Sequence, residues 1–130
     1  MCGSRDVILH NIKFYRDSSG VQPAKEYIKK LQNQKGKDAR IQAKQIATYI
    51  QLLAEKGFSL NKNYIDKINE EYNIWDLRPG SNRVFFVAWI DSMFVLLHAF
   101  PKKTRKTPQR EIDQAIREVK DLRAKGLREG

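Results

Sequence analysis

The sequence predicts an α+β fold. An αα-hairpin and a single closing helix flank a sheet of about four to five strands, antiparallel or mixed at an edge, in the order β-α-α-β-β-β-β-α. Three observations lead there. At 130 residues, 41% hydrophobic, the chain suits one domain with one compact core, residues 1–130. The apolar period changes from helical spacing to strand alternation near Tyr64 and returns to helical spacing after Pro108. The strand-like runs between are joined by short turns, which favours antiparallel neighbours.

Val7–Tyr15 (V-I-L-H-N-I-K-F-Y) is short, apolar and β-branched, and ends at the turn-like D-S-S-G of 17–20, so it is predicted as a strand. Pro23 suits the first turn of a helix, and Ala24, Tyr27, Ile28 and Leu31 follow at spacings of three and four. A polar break, 32–37, leads to a longer helix carrying Ala39, Ala43, Ile46, Ile50 and Leu53, with Gly57 as its terminator. Tyr64–Ile68 and Tyr72–Arg78 are predicted strands around a turn at 69–71, and Pro79-Gly80-Ser81-Asn82 is the next turn. Arg83–Ile90 and Met93–Phe100 are strands joined at Asp91-Ser92. Both faces of the first are apolar, so it is central. Thr107-Pro108 supplies an N-cap and first position for a helix bearing Ile112, Ala115, Ile116, Val119 and Leu122, to about Lys125. The terminal helices are expected to cover one face of the sheet and leave the other partly open.

The formal net charge is +10. That excess favours polyanionic partners: nucleic acid, acidic proteins or anionic lipid. Half of it lies in 102–110, where Lys102, Lys103, Arg105, Lys106 and Arg110 stand without an acid. Cys2 is the only cysteine, so an internal disulfide or a cysteine zinc site is excluded. No apolar run approaches the ~20 residues needed to span a bilayer. Met1–Asp6 lacks the apolar core of a signal peptide. The expectation is a cytoplasmic protein with no membrane partner.

His10 and His98 are the only histidines, and neither lies in H-x-E or H-E-x-x-H spacing. P-loop, dinucleotide and G-x-S-x-G patterns are absent as well. Catalysis, if present, is expected without metal or cofactor, by cations and proton transfer. Cleavage of RNA by its own 2′-OH can run that way: the site removes one proton, neutralises the phosphoryl oxygens and protonates the departing 5′-oxygen. In a meander, Arg78 and Arg83 flank one turn while the strand ending at Phe100 returns to it. That brings Arg78, Arg83, Lys102 and Lys103 to one rim. Arginine clamps phosphate but cannot serve as base, whereas a lysine with a lowered pKa can. Arg105, Lys106 and Arg110 extend the phosphate-binding set, and Tyr72 is a stacking candidate.

Each of these has a plainer reading. His98 suits a hydrogen-bonded core histidine better than a catalytic one, and Trp75 and Trp89 suit the core better than a stacking platform. Asp76 can simply pair with Arg78. Lys25, Lys29, Lys30, Lys35, Lys37 and Lys44 read as solvated helix faces. The loop 102–110 could be a solubilising segment, but its lack of acids beside two arginines favours an anion site.

The joint pattern I-W-D-L-R-P, N-R-V-F-F, and F-V-L-L-H-A-F-P-K-K-T-R-K-T-P followed by E-I-D-Q-A resembles the RelE/ParE toxin superfamily. Within it, the phage-derived HigB-like branch of type II toxin–antitoxin systems is the nearest match. The resemblance spans roughly residues 7–122 and is most specific over 74–116. It implies a RelE-like fold and a metal-independent endoribonuclease (an mRNA interferase) that cuts mRNA on the translating ribosome and so inhibits translation and growth. It also implies a cognate antitoxin as partner, a HigA-like helix-turn-helix protein, in a toxin–antitoxin hetero-oligomer. By position, Arg83 matches the arginine expected to hold the scissile phosphate, and Arg78 the basic residue closing the preceding strand. Lys102 and Lys103 match the basic pair after the last strand. Two departures stand out. Asp76 occupies a place where many relatives carry lysine, and the final helix begins P-Q-R-E without the usual tyrosine. The general base is thus open among Asp76, Lys102, Lys103 and His98. The alternatives are a ParE-like toxin acting on DNA gyrase by protein contact, and a basic nucleic-acid-binding protein without catalysis.

Overall fold

The structure is a computed structural model that describes residues 9–129. Its elements are β1 (Asn11–Phe14), α1 (Pro23–Asn33), α2 (Lys37–Lys56), a 3₁₀ turn (Gly57–Ser59), β2 (Ile65–Asn69), β3 (Ile74–Leu77), β4 (Asn82–Trp89), β5 (Met93–Pro101) and α3 (Gln109–Lys125). One five-stranded sheet runs β1-β5-β4-β3-β2. β1 lies parallel to β5, so that edge is mixed, and the remaining pairs are antiparallel.

The predicted element order holds, with local corrections. Val7 and Ile8 of the first predicted strand, like Cys2, lie outside the described residues. Its described part begins at Asn11, because the N–H of His10 bonds the Ala54 carbonyl at the end of α2 rather than the sheet. Tyr64, Tyr72 and Arg78 flank strands rather than belong to them. α3 starts one residue later than expected. Pro108 holds the N-cap with extended backbone, and neither it nor Thr107 caps the helix through a side chain.

The larger correction concerns layers. α1 and α2 cover one face of the sheet, packing on Ile65, Leu77, Val84, Phe86, Phe94 and Leu96. α3 covers the opposite face, packing on Ile74, Phe85, Val87, Val95, Leu97 and Phe100. Neither face is left open, because β4 and β5 are apolar on both sides and each side needs cover. Burying each of these large side chains contributes about 1.5–3 kcal/mol.

A bulge in β5 decides where His98 goes. Val84 pairs with Ala99 and Phe86 with Leu96, so β5 holds one extra residue opposite Phe85. Plain alternation from Phe94 and Leu96 would aim His98 at α1 and α2. After the bulge, His98 and Phe100 instead join Leu97 on the α3 side, where His98 meets Glu111 and Glu118.

Candidate functional site

At one end of the sheet, the turn from β3 to β4 and the loop after β5 meet. Asn82 pairs with Pro101, Arg83 with Phe100, and the Lys102 N–H donates to the Ser81 carbonyl at 2.8 Å. Gly80 makes the turn with φ +62°, and a Cβ there would come within 2.5 Å of the Gln45 side-chain oxygen. The backbone angle is what calls for glycine here, since the Gln45 amide is the far end of a flexible side chain and can move aside.

Asp76, on the last turn-proximal stretch of β3, is 2% exposed. One carboxylate oxygen, Oδ2, sits 3.7 Å from Arg83 Nε and 3.9 Å from Arg78 Nε. These distances are ionic rather than hydrogen-bonded. Asp76 Oδ1 and Arg83 Nε are buried and make no hydrogen bond. Burial pushes the Asp76 carboxyl up from 3.8 to about 7. Arg83, Arg78 and Lys102 oppose the rise, and Asp66 across the β2–β3 pair adds to it. Burial likewise lowers the Arg83 pKa, against the pull of Asp76, yet a guanidinium stays charged near neutrality. Arg83 Nη1 donates to the carbonyls of Gly80 at 2.7 Å and Asn82 at 2.8 Å, which fixes the plane of its fork. Arg78 is more exposed and donates to the Lys62 carbonyl at 3.3 Å.

The loop after β5 divides the basic residues into two kinds. Lys102 folds back, its Nζ donating to the carbonyls of Thr104 at 2.6 Å and Arg105 at 2.7 Å, so it shapes the loop. Lys103, Arg105 and Lys106 are exposed. Arg110 is exposed on the first turn of α3, 3.8 Å from Glu111.

Two predicted residues stand apart from this rim. His98 is buried beneath α3 with both ring nitrogens engaged, Nδ1 at 2.7 Å from Glu118 and Nε2 at 3.0 Å from Glu111. Burial disfavours its charge, but the hydrogen bonds and charges of Glu118 and Glu111 outweigh this and raise its pKa. Tyr72 lies at the opposite end of the sheet, before β3 begins, with Lys120 and Arg123 of α3 over its ring.

Asn82 escaped the sequence reading, where it looked like a turn residue. It is fully buried. Its side chain accepts from Tyr27 Oη of α1 at 2.5 Å and donates to Gln42 of α2 at 3.0 Å, tying the helical hairpin to the residue beside Arg83. Its place between a turn and an arginine gave no sign of this.

No helix of the described residues is long and apolar enough to cross a membrane. Nor do the described residues hold a cluster of three or more His, Cys, Asp or Glu side chains suited to a metal ion.

A family described as phage-derived protein Gp49-like matches residues 26–120. Among solved structures, a chain of the archaeal RelE–RelB complex from Pyrococcus horikoshii OT3 is similar in fold, with a TM-score of 0.51 at 18% identity. The match covers 75% of this chain and 99% of that one. No curated protein matches the sequence.

Proposed function

The chain belongs to the phage-derived Gp49-like protein family and carries a RelE-like fold, and from that premise we infer that it is the toxin of a type II toxin–antitoxin pair, a metal-independent endoribonuclease acting on mRNA. The observation that carries this reading is the buried Asp76 carboxyl between Arg78 and Arg83, at the foot of a loop whose cations have no acid among them.

In this reading Arg83, its fork fixed by two carbonyls, holds the scissile phosphate, and Arg78 neutralises the charge growing on the phosphoryl oxygens. Asp76, titrating near neutrality between the two arginines, serves as the acid–base group for the 2′-OH proton. Lys103, exposed two residues beyond β5, donates its ammonium proton to the departing 5′-oxygen. Arg105, Lys106 and Arg110 grip flanking phosphates, while Lys102 keeps the loop in shape. The ribosome is the place where mRNA is met, as in HigB-like toxins, and the partner that silences the site is a cognate antitoxin of helix-turn-helix type.

Induced expression with mapping of mRNA 5′-ends tests this. The parent chain is expected to arrest growth and to leave cuts in register with codons. Arg83→Ala is expected to lower cleavage about 10²–10³-fold with the fold intact. A folded Arg83→Ala variant that still cuts translated mRNA sinks the site assignment. A DNA-damage response with intact mRNA selects action on gyrase instead.

A further inference from the structure

The end of the sheet remote from the cationic rim has a second feature. A groove of about 330 Å³ runs beside the end of β4, lined by Phe58, Tyr72, Trp75 and Trp89 with Lys67 and Arg123 at its margins, and no acid lines it. Phe58 is 48% exposed there and Ile90, one residue beyond β4, 66%. On β4, β3 pairs only with Val84–Phe86, because Asn73 (φ +52°) turns the chain just before β3 begins. Among the described residues, no strand partners Val87–Trp89 on that edge. An unpaired strand end presents alternating N–H and C=O groups in the geometry that another extended peptide matches.

We propose that this groove is a docking site for an extended, acidic peptide segment of a partner protein. The segment pairs its main chain with the free edge at Ala88–Trp89 and sets one large apolar side chain among the four aromatic rings. Its carboxylates face Lys67 and Arg123. Charge complementarity selects the partner: with a net charge of +10, a second copy of this chain is repelled, and an acidic segment is drawn in. Lys67 donates to Asn73 Oδ1 at 3.2 Å, and its one carboxylate neighbour is the exposed Glu70, 3.6 Å away, which a partner carboxylate can replace. The rings themselves argue for peptide over RNA. Lys67 sits over Trp75 at 5.4 Å and Phe58 leans on it at 4.8 Å, while Arg123 sits over Tyr72 at 5.1 Å. These contacts occupy faces of Trp75 and Tyr72, which leaves fewer open faces for base stacking. The proposal does not depend on whether the opposite rim cuts RNA.

Selection of a phage-displayed library of random peptides on the intact chain tests it, run in parallel on a Lys67→Glu/Arg123→Glu variant. Neither side chain is buried, so the variant is expected to fold as the parent does. The expected peptides combine acidic residues with a large apolar one and weaken about tenfold or more on the variant. Titrated into ¹⁵N-labelled protein, they shift the amide resonances of 87–90. Failure to enrich any peptide overturns the proposal, as does equal binding to the variant or shifts confined to other regions. A uridine oligomer that moves the same amides at lower concentration than any selected peptide also overturns it and gives the groove to RNA.

Discussion

Asp76 is a carboxylate set between two arginines, and its environment decides how it behaves. An ordinary surface aspartate would pair with Arg78 and stay ionised. This one is buried between two arginines whose distances are too long for hydrogen bonds, so burial wins over their charges and the carboxyl titrates near 7. A carboxyl whose folded pKa lies above its unfolded value stabilises the fold fully below the unfolded pKa. That stability is lost as pH rises through the folded one, here across the window from 3.8 to about 7. Asp76→Asn is therefore expected to remove a slope worth roughly 2–4 kcal/mol between pH 4 and 8, read as the difference in urea unfolding between parent and variant. If the chain cleaves RNA as proposed, the same substitution is expected to abolish a break near neutrality in the pH–rate profile of that cleavage. An unchanged stability slope would mean that the carboxyl ionises normally.

At the scale of elements, α3 is held by two polar clasps. One is His98 between Glu111 and Glu118. The other is Asp121, which accepts from Tyr15 at 2.6 Å and from Arg128 at 2.5 and 3.0 Å. Hydrogen bonds from Arg128 and Tyr15 hold the Asp121 pKa down to about 2, so the second clasp is constant across the working range. The His98 clasp is not. Its raised pKa stabilises the fold below the unfolded value of 6.5, and that stability is lost as pH rises through the folded value. Glu118→Gln is expected to cost about 3 kcal/mol at pH 6 and clearly less at pH 9, measured by denaturant unfolding. A cost independent of pH would show that His98 is neutral in the clasp. This element also marks a limit of sequence reading. Periodicity placed α3 to within a residue or two, and alternation assigned both faces of β4. The extra residue in β5 was not legible, because F-V-L-L-H-A-F is apolar on either parity. The side of the sheet that α3 covers was not legible for the same reason. The rim was legible from connectivity alone, since two arginines flanking one turn and a strand returning to it leave little choice. The burial of Asp76 and the Tyr27–Asn82–Gln42 network were not, because both depend on side chains more than 30 positions away or on cover by other elements.

For the whole molecule, charge is segregated. The loop 102–110 supplies half of the net charge, and Lys25, Lys29, Lys30, Lys35, Lys37 and Lys44 lie exposed on α1, α2 and their connection. α3 and its tail are nearly balanced. A polyanion should therefore bind mainly by releasing counterions at the rim. Binding of a non-cleavable RNA oligomer carrying 2′-deoxy at the scissile position is expected to weaken with salt. With about four phosphate contacts, log K against log salt should have a slope of about −3, or roughly 50-fold between 50 and 200 mM. A slope near zero would sink the rim as a phosphate site.

The parallel edge of the sheet has a consequence in time. β1 leaves the ribosome before the other strands, but its partner β5 follows only 82 positions later, Asn11 with Met93 and Phe14 with Leu96. At ordinary synthesis rates that wait is on the order of 4–16 s. β5 is also the strand that carries the rim loop. The nascent chain therefore stays without a complete sheet, and without any assembled cluster of Arg78, Arg83 and Lys103, until β5 and the loop after it have emerged.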